Sequence, residues 1–226
     1  MSDCRPFSDR ESLDKALAAH VVSRLQHGIA ERGTAYLVVS GGSTPIHLFS
    51  ILADADVEWG RVVVLLADER WVPVDHEDSN ERLVRETLLI GKAKPARFFS
   101  LLPTPDDEMT NIAGVSTLLG SLPRFDVVLL GMGEDAHTAS LFPCAVALSE
   151  GLTTQQGALM TRPHNAPHRR VSLSKQRLQA TEHGVVHIVG DKKKAVLELA
   201  KKSGDEMRYP ISAFLGPAGF VCWWAP

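Results

Sequence analysis

Four short runs of continuous apolar character divide the chain: residues 35–40 (AYLVVS), 62–67 (VVVLLA), 126–131 (DVVLLG) and 185–190 (VVHIVG). Three of them are rich in β-branched side chains, and helical-looking segments follow them. Runs that are apolar on both faces and alternate with helices describe a parallel sheet covered on both sides. The pattern predicts one α/β domain over residues 1–226, a three-layer α/β/α sandwich with a mostly parallel sheet. Ahead of the first run, SDRE at residues 8–11 has capping-box spacing, and Leu13, Leu17, Val21 and Leu25 recur at helical intervals up to Gly33. A long amphipathic helix is predicted there. The proline-bearing stretches near Pro103 and Pro105 and at 162–169 (RPHNAPHR) read as surface loops, the second long enough to wall or cover a site.

Composition removes several classes of function. A net charge of -3 and the absence of long like-charge runs leave no field that would gather nucleic acid or anionic lipid, so an anionic ligand needs a local site. No apolar run approaches the roughly 18 residues of a membrane span, and the charged N-terminus has no signal-peptide core. Cys4, Cys144 and Cys222 are odd in number and far apart, which predicts free thiols in a reducing compartment and a cytoplasmic protein.

In parallel α/β sheets, ligand chemistry collects beyond the carboxyl ends of the strands, and here those ends are polar. After the first run, SGGSTP places Gly41, Gly42, Ser43 and Thr44 before Pro45, a glycine turn into a helix that suits phosphate binding by backbone N–H groups. After the second come Asp68, Glu69 and Arg70, at least one acid expected in the cleft and Arg70 expected to contact ligand. An internal ion pair fixing the loop is an equal alternative for the two acids. After the third comes GMGEDAHTASLFP, where His137 suits a general base, with Asp135 two residues away to orient it. GMGEDA fits a dinucleotide fingerprint only superficially, because Pro143 arrives too soon for the usual long helix. The pairs His164/His168 and His183/His187 have i,i+4 spacing, but prolines and a strand pattern break both, so no metal is expected. Finally, HRRVSLS brings Arg169 and Arg170 to a strand start, and GDKKKA brings Lys192, Lys193 and Lys194 to a helix start. Cations there oppose the helix dipole and point to an anion between them.

With these residues assembled, the chain resembles the 6-phosphogluconolactonase family over nearly its whole length. SGGSTP, DERWVP with SN downstream, GMGEDAHTASLFP, RRVSLS and the GDKKKA helix occur in the family's order. The resemblance implies a Rossmann-like fold, no cofactor, and hydrolysis of a small phosphosugar lactone in the oxidative pentose phosphate pathway. It also implies catalytic His137, with Arg70, Arg170 and Lys193 in the site, the lysine assignment being open by one position. Ala136 departs from the family's glycine, and positive φ there would strain the turn and could misplace His137. Alternatives on the same fold are a sugar-phosphate isomerase or deaminase and a non-catalytic sugar-phosphate sensor. Phe142 stands where the deaminases carry a glutamate, which favours the hydrolase. A monomer or weak homodimer is expected.

Overall fold

The computed structural model describes residues 4–216 and 219–226. In chain order its elements are β1 (Arg5–Pro6), α1 (Arg10–Arg32), β2 (Ala35–Val39), α2 (Ile46–Ala53), β3 (Val62–Leu66), β4 (Asp68–Arg70), α3 (Asn80–Thr87), β5 (Arg97–Phe99), α4 (Glu108–Ser121), β6 (Phe125–Leu130), α5 (Leu148–Thr153), β7 (Ala158–Thr161), β8 (Arg170–Leu173), α6 (Lys175–Gln179), β9 (Thr181–Val189), α7 (Asp191–Ser203) and β10 (Phe220–Ala225). Seven strands form the main sheet in the order β1-β10-β9-β6-β2-β3-β5. Every pairing in it is parallel. The predicted apolar runs are β2, β3, β6 and β9, and the α/β architecture with a mostly parallel sheet is as expected. Every residue of β3 and β6 is buried, which is why neither strand alternates in polarity.

Helix α1 runs against α2, β2, β6 and β10. Its stripe of Leu13, Leu17, Val21 and Leu25 is fully buried. Its N-cap is Asp9, one position beyond the serine the capping box suggests. The Asp9 carboxylate accepts from Ser12 N and Ser8 Oγ, and a charged acceptor answers the positive helix end better than a hydroxyl. Gly33 ends the helix at φ 75.

A feature absent from the sequence reading is a second sheet, antiparallel, in the order β4-β8-β7. The chain bends at Ala67, leaves the main sheet, and pairs Asp68 with Ser172 and Arg70 with Arg170. The free-thiol reading also needs correction. Cys4 and Cys222 form a disulfide, because β1 and β10 run side by side with Arg5 opposite Trp223. Cys144 alone is free. Among the described residues, no helix is long and apolar enough to cross a membrane.

Candidate active site

The carboxyl ends of β2, β3, β6 and β9 open into a cavity of about 240 Å³. Gly41, Gly42, Ser43, Thr44, Asp68, Arg70, His137, Arg170 and Lys193 all line it. Asp135 and Glu69 stand back from it, as do Arg169, Lys192 and Lys194.

His137 is built by a tight turn after β6. Ala136 N donates to Gly133 O at 3.0 Å, and Gly133 N donates to His137 O at 3.0 Å. His137 Nδ1 lies 2.5 Å from Asp135 Oδ1, and its ring stacks on Phe142 at 4.0 Å between centroids. On the third side is Gly133, where an added Cβ would overlap the imidazole and the Asp135 carboxylate. With Nδ1 committed to Asp135, Nε2 has no partner among the described residues and is the nitrogen left for chemistry. Burial works to raise the Asp135 pKa, but the hydrogen bond and charge of His137 outweigh it and hold the carboxyl below its ordinary value of 3.8. Asp135 is therefore ionised at neutral pH, and its stabilisation is lost only as pH falls through that depressed value.

Ala136 occupies the left-handed region at φ 65, fully buried, with its carbonyl accepting from Ile211 N at 3.0 Å. The strain expected from the glycine replacement is present, but the turn holds and the His137–Asp135 contact is intact. Ala136→Gly is expected to raise stability by about 1 kcal/mol in urea unfolding, by removing the left-handed Cβ clash, with kcat unchanged.

The cavity is also cationic, and Arg170 lies 5.1 Å over the same Phe142 ring on which His137 stacks. Arg70 and Arg170 face each other directly across the β4–β8 pair, and like charges so placed destabilise a sheet. Arg170 is nearly enclosed, and its nearest acid, Asp68, is 3.9 Å away. Burial pushes the Arg170 guanidinium below its ordinary pKa, with Asp68 opposing. Arg70 Nη1 donates to Asp78 O at 2.6 Å, yet the Nε atoms of both arginines lack a hydrogen-bond partner among the described residues. Lys193, in the first turn of α7, has no hydrogen-bond or ion-pair partner among the described residues, and burial lowers its pKa against the pull of Glu134. Lys192 is exposed and Lys194 lies 3.9 Å over the Trp224 ring, so Lys193 is the lysine of the site. The backbone N–H groups of residues 41–44 also donate to nothing among the described residues. Two buried arginine Nε atoms without partners, a half-buried lysine and open backbone N–H groups around one cavity describe an anion site.

Glu69 is not part of it. Its carboxylate accepts from Arg70 N, Asn80 N, Glu81 N and Ser79 Oγ, which fastens the start of α3 to β4. Burial raises its pKa despite those bonds. Glu69 thus fixes the loop, but through hydrogen bonds to backbone N–H groups and a hydroxyl and not through the expected ion pair. Asp68 does face the cavity and accepts from Ser140 Oγ at 2.5 Å.

Two cavity residues, Asn80 and His187, and one buried behind the wall, Asp14, have no site role in the sequence reading above. Asp14 is fully buried, with Oδ2 2.8 Å from His47 Nδ1 and Oδ1 2.9 Å from His187 Nε2, the latter off the line of a hydrogen bond. Neighbouring Arg10 donates to Thr44 O at 2.9 Å, so this cluster supports the glycine loop from beneath. The signal was available, since Asp14 adjoins the apolar stripe of α1. Asp14→Ala should destabilise the protein by about 1–3 kcal/mol by orphaning these donors, a loss measurable by urea unfolding.

A family model described as glucosamine-6-phosphate isomerases/6-phosphogluconolactonase matches residues 8–223. A 6-phosphogluconolactonase of Rhizobium meliloti (strain 1021) is 42% identical over 97% of this chain and 97% of its own. Another, from Pseudomonas aeruginosa, is 40% identical over 93% and 90%. The crystal structure of a 6-phosphogluconolactonase from Shewanella baltica OS155 superposes with a TM-score of 0.96 at 39% identity, covering 100% of this chain and 98% of that one. With a family match across nearly the whole chain and the imidazole and cationic wall sharing one cavity, this chain belongs to the glucosamine-6-phosphate isomerase/6-phosphogluconolactonase family.

Proposed function

We propose that this chain hydrolyses 6-phospho-D-glucono-1,5-lactone to 6-phospho-D-gluconate, with His137 as general base. One observation carries the reading: a carboxylate-backed imidazole lines the same cavity as Lys193 and two arginines whose Nε atoms lack hydrogen-bond partners among the described residues. The phosphate sits among Lys193, Arg170 and the N–H groups of residues 41–44, and this remote anchor orients the lactone with its carbonyl beside His137. His137 Nε2 takes a proton from water as the water oxygen attacks the carbonyl carbon. Asp135 holds the ring and stabilises the imidazolium, and Arg70 stabilises the oxyanion. When the oxyanion collapses, the ring C–O bond breaks and the departing oxygen takes the proton back from His137. Ser140 is buried and donates to Asp68, so no acyl-enzyme is expected.

A deaminase of this fold is expected to carry a glutamate at the position of Phe142, whose ring here stacks on His137. We place the reaction in the oxidative pentose phosphate pathway and in the cytoplasm, since a phosphosugar dianion does not cross a bilayer unaided and the enzyme must share its compartment. Proton release from freshly made lactone, after subtraction of spontaneous opening, tests the reading. Saturable acceleration supports it. Ammonia release from an amino-sugar phosphate would favour the deaminase, and binding of 6-phosphogluconate with no acceleration would favour a sensor.

A further inference from the structure

Behind Arg70, outside the cavity lining, His76, Asp78 and His168 meet although they come from two loops distant in sequence. One ligand atom from each lies within 4.8 Å of the others. His168 Nε2 is 2.9 Å and His76 Nδ1 3.9 Å from the same Asp78 oxygen, with the imidazoles edge to face at 5.4 Å between centroids. Metal–ligand bonds of about 2.0–2.2 Å in a tetrahedral site hold ligand atoms roughly 3.4 Å apart, and the observed separations straddle that spacing. All three side chains are partly exposed, which leaves an ion a route in.

One further observation favours an ion over the His168–Asp78 hydrogen bond alone. His168 adopts φ 70, a left-handed backbone that a non-glycine residue holds at a cost of roughly 1–2 kcal/mol. The proposed lactone chemistry makes no use of that ring. His76 Nδ1 accepts from the Asp78 N–H at 3.1 Å, a bond that an ion taking the same lone pair would displace. Two imidazoles with one carboxylate suit zinc-like divalent ions and not magnesium or calcium, which prefer all-oxygen shells.

We propose that His76, Asp78 and His168 bind a divalent transition cation of the zinc type, which staples the 71–79 loop to the 162–169 loop. The staple is structural. Asp78 O accepts from Arg70, and His168 lies two residues before Arg170, so the ion fixes the loops that carry the arginine wall. The sequence reading excluded a metal because it considered only close histidine spacings, whereas this set is assembled by the fold.

The test uses the full-length, tag-free, chelator-stripped chain and cobalt(II) alone as the probe, with zinc as competitor. The expected result is a saturable visible d–d spectrum that zinc abolishes, together with a zinc-dependent rise in Tm. His76→Gln and His168→Asn should each weaken cobalt binding by at least about tenfold, while His164→Gln in the same loop leaves it unchanged. Asparagine tolerates the left-handed backbone, so His168→Asn keeps the loop conformation. Absence of the spectrum, or the same spectrum and affinity in both ligand variants, would overturn the proposal.

Discussion

His137→Ala is expected to lower kcat on the phosphorylated lactone by roughly 10²- to 10⁴-fold, the usual share of a general base. The fold should survive. The His137 side chain is 29% exposed, and its contacts are the Asp135 carboxylate and the face of Phe142. Losing them should cost about 1 kcal/mol in urea unfolding. KM should change little, because the groups proposed to anchor the phosphate, Lys193, Arg170 and the N–H groups of residues 41–44, are left in place. Gly133→Ala makes an independent version of this experiment, since its new methyl would overlap the imidazole and Asp135 without removing the base. A comparable fall in kcat is expected there. An unchanged kcat in His137→Ala would remove this residue from the reaction.

Lys193→Ala is expected to act on the other half of the site. A charge-assisted hydrogen bond to phosphate contributes about 1.5–3 kcal/mol, so kcat/KM on the phosphorylated lactone should fall roughly 10- to 150-fold. Stability should not fall with it. Lys193 has no hydrogen-bond or ion-pair partner among the described residues, and burial disfavours its charge, so an apolar substitution such as Lys193→Met is expected to leave unfolding unchanged or to raise stability slightly. Because the folded pKa is lowered below 10.5, the ammonium's penalty is full below that depressed value and is relieved as pH rises through it toward 10.5. Bound phosphate should reverse the penalty. A lysine kept for structure would show the opposite, destabilisation with unchanged KM.

Much of this site was legible in the sequence, for a definite reason. The strands β2, β3, β6 and β9 are apolar on both faces, so their polar ends stand out as chemistry. GMGEDAH is informative because its turn is closed by local hydrogen bonds from residues 133 to 137. DER was legible only in part. Treated as a loop, it offered Asp68, Glu69 and Arg70 together, but in the strand β4 successive side chains point to opposite faces. Asp68 and Arg70 therefore reach the cavity, and Glu69 turns back to α3. The opposition of Arg70 to Arg170 and the Cys4–Cys222 bond lay beyond reach for another reason. Both depend on pairings between segments far apart in the chain, which no local spacing encodes.

The central claim is that a general base and an anchor for a dianion grip opposite parts of one small sugar. The most direct measurement is the ratio of kcat/KM for 6-phosphogluconolactone to that for the unphosphorylated lactone, in the unaltered protein, Lys193→Ala and His137→Ala. The account predicts a large ratio that shrinks in Lys193→Ala, and that persists in His137→Ala while both rates fall together. Equal values on the two lactones in the unaltered protein would contradict it.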